Sequence, residues 1–208
     1  METNNIKIWA ETNRMNLNFK KTWEMVIHGK ISRPLPEPLP MITRKSWLKI
    51  LGVTFQENPT MWDLQMNELM SRACSRLYII RTCKYYGFSS KELDLLFHSL
   101  NLSILVFGID VWECASYSKY LSQIDKFLKR SYKYGYLAQE LSIVDMLNNK
   151  DRVLWKKITT DPNHALKTLL PPRRQLELRD REHKYELPRV RTQRFKRVFV
   201  NRCLFNFI

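Results

Sequence analysis

The side chains that could carry out chemistry are spread along this chain without the groupings that catalysis requires. Two-metal phosphoryl transfer needs clustered carboxylates to hold its metal ions. The aspartates never adjoin, and no Asp-x-Asp occurs among them: Asp63, Asp94, Asp110, Asp125, Asp145, Asp151, Asp161 and Asp180. The histidines show no metal-ligand spacing, and the five glycines form no phosphate-cradling loop. The sequence therefore predicts no self-contained active site and no cofactor held by this chain.

The cysteines, the N-terminal residues and the hydropathy pattern indicate the cellular compartment of the protein. Cys74, Cys83, Cys114 and Cys203 are scattered and form no Cys-x-x-Cys pair, which favours buried thiols in a reducing compartment. Met1 is followed by polar residues that do not resemble a signal peptide. The most apolar stretch, Leu100 to Trp112, contains polar residues and is shorter than a membrane span. We therefore expect an intracellular protein without a membrane partner, and a buried helix at this stretch.

The charge balance gives the first indication of a partner. Lys and Arg number 35 against 20 Asp and Glu, so the formal net charge is +15. An excess of this size repels itself unless an anionic partner binds it, so nucleic acid or an acidic membrane surface is the expected partner. The hydrophobic content of 44% is also high enough for a folded core.

One predicted helix concentrates this charge in a single row. At about 100° per residue, the apolar side chains between residues 117 and 134 fall on one face. The opposite face carries Lys119, Lys126, Arg130 and Lys133, which we call the basic stripe. A row of cations on a rigid helix suits contact with a phosphate backbone. An ordinary solvated helix face is an equally good explanation from the sequence alone.

The residues after Pro172 are also basic. Nine cations are interleaved there with Tyr185 and Phe195: Arg173, Arg174, Arg179, Arg181, Arg189, Arg191, Arg194, Lys196 and Arg197. Arginine together with aromatic rings suits stacking on unpaired bases. A disordered tail fits this composition almost as well.

The elements that would position these residues predict an α+β fold in which helices dominate. A helix over 3–16 and a strand over 22–27 come first, followed by alternating prolines over 34–40 and a hairpin over 46–55. Four long helices follow over 61–86, 89–112, 117–134 and 142–158. We expect Gly87 and Gly135 to end the first and third, and Ser89 with Glu92 to form a capping box at the start of the second. The first carries a predicted apolar face of Met66, Leu69, Met70, Ala73, Leu77 and Ile80. We expect three parts, 1–58, 59–160 and a loosely attached, partly disordered basic tail over 161–208.

In this order, the pieces resemble the C-terminal part of the reverse transcriptase of non-LTR (LINE-like, jockey-type) retrotransposons. The resemblance rests on an ordered set of short motifs, none of which is decisive alone. The motifs are Trp9-Ala10-x-x-Asn13-x-Met15-x-Leu17-Asn18-x-x-Lys21-Thr22-x-x-Met25-x-Ile27, Lys49-Ile50-Leu51-Gly52-Val53, Ala73-x-x-Arg76-Leu77-Tyr78, Gly108-Ile109-x-Val111-Trp112, Tyr120-Leu121-x-x-Ile124-x-Lys126, Asp161-Pro162-Asn163-His164-x-Leu166, Leu170-Pro171-Pro172, Leu187-Pro188-Arg189 and Arg194-Phe195-Lys196.

The resemblance implies roles that periodicity does not. Residues 18–27 would close the polymerase palm, and Lys21 would lie near the incoming nucleotide as a possible general acid for pyrophosphate. Lys49 and the turn Leu51-Gly52-Val53 would be a primer grip that positions the 3′ end of the primer. The four helices would form a thumb whose basic stripe follows the template–primer duplex.

The resemblance also implies what this chain lacks. The family's Tyr/Phe-x-Asp-Asp turn and the fingers lie upstream of such a segment, so Mg²⁺ is implied only for the full-length polymerase. We therefore expect a fragment of an RNA-directed DNA polymerase, inactive alone, that partners template–primer and the remaining palm and fingers in cytoplasm and nucleus. The alternatives are a non-enzymatic nucleic-acid-binding remnant and a helical module that binds proteins.

Overall fold

The structure is a computed structural model that describes residues 2–28, 34–112, 118–174 and 184–207, apart from the side chains of residues 2, 3, 118 and 119. Helix accounts for 57% of it and strand for 8%, so the expected helix-dominant α+β class is confirmed at that level. The chain divides into two compact units, Met1–Pro59 and Thr60–Ile208.

Unit 1 contains one helix and two small sheets. Helix α1 spans Glu2–Thr12 and a 3-10 turn spans Phe19–Lys21. Strand β1 (Trp23–Glu24) pairs in parallel with β2 (Thr43–Arg44), and β3 (Trp47–Ile50) pairs antiparallel with β4 (Val53–Gln56). The predicted hairpin is therefore present. The predicted strand over 22–27 is too long, because β2 supplies partners for only two of its residues.

Helix α1 ends earlier than the predicted residue 16 for a local reason. Arg14 has a left-handed backbone with φ 53. The N–H of Arg14 donates to the carbonyl of Glu11, and the N–H of Met15 donates to the carbonyl of Ala10. This pair of bonds is the Schellman arrangement, which satisfies the last helical carbonyls and turns the chain away.

Unit 2 is built from helices that range from 3 to 23 residues in length. They are α2 (Asp63–Tyr85), α3 (Ser90–Phe97), α4 (Ser103–Leu105), α5 (Ile109–Trp112), α6 (Ser118–Lys133), α7 (Ile143–Thr160), α8 (Gln193–Arg197) and α9 (Phe199–Asn206). A 3-10 turn, Ala165–Leu169, follows α7. The predicted apolar face of α2 is turned inward, with Met66, Leu69, Ala73 and Ile80 buried.

The helix ends of unit 2 follow the predicted capping signals. The Ser89 side chain accepts from the N–H of Glu92, and the Glu92 carboxylate accepts from the N–H of Ser89, which completes the expected capping box. The Ser89 hydroxyl also donates to the Glu92 carboxylate, and this bond, followed by the bond from the Ser89 N–H, lowers the pKa of Glu92. Gly87 and Gly135 have φ of 85 and 68 and end α2 and α6. In both cases a left-handed residue is required, and glycine adopts this backbone without steric cost.

The second predicted helix of unit 2 is interrupted. A π-helical turn, His98–Leu102, joins α3 to α4, and residues 106–108 form a turn at Gly108 before α5. From the sequence, the apolar stretch from Leu100 to Trp112 is too short for a membrane span. The longer segment Ser90–Trp112 is, by length and composition alone, long and apolar enough to cross a membrane. About a third of its most apolar window is buried, and core helices of soluble proteins pass the same test. The segment Ser90–Trp112 is therefore only weak evidence for a membrane span.

The described residues 199–207 are packed against α7, whereas the sequence predicted a loosely attached tail. Trp155 of α7 forms a buried cluster with Cys203, Leu204 and Phe207. Leu170, Tyr185, Leu187, Phe199 and Val200 pack around this cluster. The apolar residues of α9 therefore pack on the hydrophobic surface around Trp155, and composition alone does not predict this packing.

Candidate nucleic-acid interface

Helix α6 is strongly two-sided. Tyr120, Ile124, Phe127 and Leu128 are buried along one face, and Phe127 stacks on Phe97 with the ring centroids 6.1 Å apart. Lys126, Arg130 and Lys133 of the basic stripe are exposed on the opposite face. The side chain of Lys119, the fourth member, lies outside the described residues.

Both ends of α6 are fixed by contacts with its neighbours. At its beginning, the Tyr120 hydroxyl donates to the Asp63 carboxylate of α2. Within it, the Asp125 carboxylate accepts from the N–H of Ile143, 2.9 Å away, and so caps α7. After it, the Lys84 ammonium donates to the carbonyl of Tyr134 and lies 5.4 Å from the ring centroid of Tyr136. The helix is therefore a rigid support for the side chains on its outer face.

The charge of the basic stripe is not neutralised by described residues. Lys129, beside the stripe, pairs with Glu140 at 3.7 Å, and both side chains are largely exposed. No described carboxylate forms an ion pair with Lys126, Arg130 or Lys133. Arg130 and Lys133 lie in the last turn of α6, where the helix dipole favours cations. The outer face of α6 thus presents a row of cations without an ion-pair partner among the described residues, and these cations can contact an anionic ligand.

The predicted primer-grip residues form the tip of the β3–β4 hairpin. Leu51 and Gly52 are the two turn residues, and both have positive φ, 49 and 88. This combination defines a type I′ turn, whose twist matches that of the two strands. Leu51 is 92% exposed, Lys49 is exposed and Val53 is buried. A leucine with left-handed backbone is strained, and it projects into solvent.

Lys21, the possible general acid, is an exposed residue at the end of the 3-10 turn in unit 1. Its N–H donates to the carbonyl of Asn18 at 3.0 Å. Among the described residues, no hydrogen bond or ion pair joins the Lys21 side chain to the hairpin tip. The structure thus gives Lys21 no catalytic partner within the described part of unit 1.

Unit 2 contains a buried charged cluster that the sequence did not predict. The Arg202 guanidinium of α9 donates twice to the Asp151 carboxylate of α7, at 2.6 and 2.9 Å, and once to the carbonyl of Arg197. Burial, and then the charge of Asp151, raise the pKa of the nearby Asp110. Burial raises the pKa of the Cys203 thiol to about 12, so this thiol stays protonated at neutral pH. No sequence motif signals an ion pair between residues so far apart.

The described residues do not form a site that fits a metal ion. No group of three or more His, Cys, Asp and Glu side chains lies close enough to hold one within the described ranges. Two open cavities of about 630 and 430 Å³ flank α9, and Asn148, Phe205 and Asn206 line both. Their walls consist mainly of amides, cations and apolar groups. We therefore assign no step through Mg²⁺ to this chain.

Comparison with known proteins does not identify the chain. No protein-family model matches it, and no curated protein or solved structure matches it either. The geometry of the two units and the sequence motifs therefore carry the functional argument.

Proposed function

We propose that this chain is the template–primer-binding part of a non-LTR retrotransposon reverse transcriptase, and that α6 is its duplex-binding helix. The observation that carries the proposal is the position of Lys126, Arg130 and Lys133, exposed in one row along a helix whose other face is buried. Phosphate contacts of this kind supply affinity without sequence preference. The net charge of +15 supports the same class of partner.

In this proposal, the helices of unit 2 act as a thumb-like bundle, and the β3–β4 turn of unit 1 acts as a primer grip. The ordered motifs from Trp9 to Lys196 support the family, and the exposed turn at Leu51 and Gly52 supports the grip. The remaining palm and fingers of the polymerase, in cytoplasm and nucleus, would be the protein partner. Mg²⁺ would bind to that part of the enzyme.

The experiment that tests the duplex-binding helix replaces Lys126, Arg130 and Lys133 with Glu. Binding to a labelled RNA–DNA duplex is measured by fluorescence anisotropy at low salt. We expect an affinity loss of roughly 100-fold, because three phosphate contacts become repulsive. Affinity equal to that of the unmodified chain would reject the proposal.

The matched control replaces Arg81, Lys91 and Lys157 with Glu, three exposed cations of unit 2 outside α6. Both sets change the net charge by the same amount. Lys157 lies in the last turn of α7, as Arg130 and Lys133 do in the last turn of α6, and an acidic residue costs stability at either place. We expect the control set to change affinity by less than about fivefold, because its cations are scattered. Equal losses in both sets would show that net charge alone determines binding.

A further inference from the structure

Unit 1 has an exposed aromatic surface with a cation at its centre. The Lys45 ammonium lies 3.9 Å from the ring centroid of Trp23 and 5.9 Å from that of Trp47. The two tryptophans are 44% and 45% exposed. We call Trp23, Lys45 and Trp47 the indole platform.

The backbone holds the indole platform in place. Trp23 pairs with Thr43 in the parallel β1–β2 sheet, and the N–H of Lys45 donates to the carbonyl of Glu24 at 2.9 Å. Trp47 begins β3, where it pairs with Gln56 of β4. The two indoles are therefore attached to strands and not to a loop, so their spacing is built into unit 1.

The charge around the indole platform is positive. Lys49 lies two residues after Trp47 on β3, and side chains two apart on a strand point to the same face. Glu24, the carboxylate next to Trp23 in sequence, is already paired with Arg44 at 2.7 Å. The surface thus combines two half-exposed indole rings with ammonium groups, which an anionic partner with flat rings would complement.

We propose that the indole platform binds an unpaired nucleic-acid strand, with bases stacked on Trp23 and Trp47 and a phosphate neutralised by Lys45. Stacking on aromatic side chains tolerates any base, because every base has a flat π-face. A duplex keeps its bases stacked on each other and offers no such faces. The platform is therefore distinct from the duplex-binding helix α6 in both its unit and its ligand, and it does not rest on that proposal.

The test measures binding of the full chain to a labelled single-stranded 12-mer and to a labelled RNA–DNA duplex. We expect Trp23→Leu and Trp47→Leu each to lower affinity for the single strand roughly tenfold, since each removes one stacked base. Duplex binding should change less than about twofold. Trp47→Phe, which keeps an aromatic ring, should retain most of the single-strand affinity.

Trp9→Leu is the matched control, because Trp9 is a 59% exposed tryptophan of α1 in the same unit and lies outside the platform. It should leave binding to both ligands unchanged. If Trp23→Leu and Trp47→Leu bind the single strand as well as the unmodified chain, the proposal is wrong. A parallel loss in Trp9→Leu would also reject it, because any exposed indole would then suffice.

A second measurement covers the case in which a tryptophan variant fails to fold. A 5-bromouracil-containing strand is photo-cross-linked to the unmodified chain, and the modified peptides are identified by mass spectrometry. Adducts on Trp23 or Trp47 support the platform, whereas adducts confined to other residues overturn it. The absence of any adduct would also count against the proposal, and would fit a platform that binds a proline-rich peptide in place of nucleic acid.

Discussion

At the scale of single residues, the most consequential group is a half-buried carboxyl that opposes folding at neutral pH. Asp110 faces Asp151, Lys150 and Arg202, and burial is the main cause that raises its pKa above the ordinary value. One of its oxygens is buried without a hydrogen-bond partner among the described residues. A carboxyl whose pKa is higher in the folded state favours folding below its unfolded pKa and loses that contribution as the pH rises through the folded pKa.

We therefore expect Asp110→Asn to unfold at a higher temperature than the unmodified chain at pH 7. The difference should shrink as the pH falls and disappear below about 3, where the aspartate is protonated in both states. Thermal unfolding followed by circular dichroism across this pH range measures it. Asp145→Asn, an exposed aspartate of α7, controls for the change in net charge and should show no such gain. An Asp110→Asn midpoint at or below that of the unmodified chain at pH 7 would contradict this account.

The neighbouring pair shows why residue-scale features resist prediction from sequence. Asp151 and Arg202 each look like ordinary surface residues of a basic chain. Their bidentate contact forms only because α9 packs on α7, and that packing depends on the cluster around Trp155. Removing one partner of a buried pair typically costs about 3–5 kcal/mol, so the contact is a strong constraint on where α9 can lie.

At the scale of elements, local signals predicted boundaries well and tertiary pairing poorly. The capping box at Ser89 and the stop at Gly135 are encoded within a few residues, and both were predicted. The two-sided pattern of α6 also predicted which face is buried. The predicted strand over 22–27 is only Trp23–Glu24 in the structure, because the length of a strand depends on a partner distant in sequence. The break before α5 was missed because the apolar pattern continues through it.

The β3–β4 turn carries a testable strain. Leu51 has φ 49, a backbone that costs a branched side chain roughly 1–2 kcal/mol, and its side chain is too exposed to recover this cost by packing. Leu51→Asn creates Asn-Gly, the pair most favoured in this turn type. We expect hairpin amides to exchange with solvent roughly fivefold more slowly in Leu51→Asn, by hydrogen-exchange measurement.

Gly52→Ala is the reciprocal variant of the same turn, because Gly52 has φ 88 and alanine disfavours that backbone. Its hairpin amides should exchange faster than those of the unmodified chain. If Leu51→Asn also accelerates exchange, then the leucine is stabilised in place and the turn stores no strain. In that case the exposed leucine at the tip would need a different explanation.

At the scale of the whole molecule, the two units differ in how much they bury. Among the described residues of unit 1, the buried apolar side chains are Ala10 and Val53, while Trp9, Trp23 and Trp47 are exposed. Unit 2 buries large side chains throughout, including Trp112 and Phe97. Because burial of apolar surface is the main source of stability, we expect unit 1 to be the less stable unit and the more prone to aggregation.

The net charge of +15 belongs to the whole chain, and its distribution determines how binding responds to salt. Each phosphate neutralised by a cation releases counterions, so the logarithm of the binding constant falls with the logarithm of salt by about 0.9 per contact. If Lys126, Arg130 and Lys133 each contact a phosphate, replacing them with Gln should make this slope shallower by about 2 to 3. Titrations of an RNA–DNA duplex between roughly 50 and 200 mM salt measure the slope. Gln removes charge without adding repulsion, so the slope counts contacts directly. An unchanged slope with weaker affinity would mean that the stripe supports the fold of unit 2 and leaves phosphate binding to other cations.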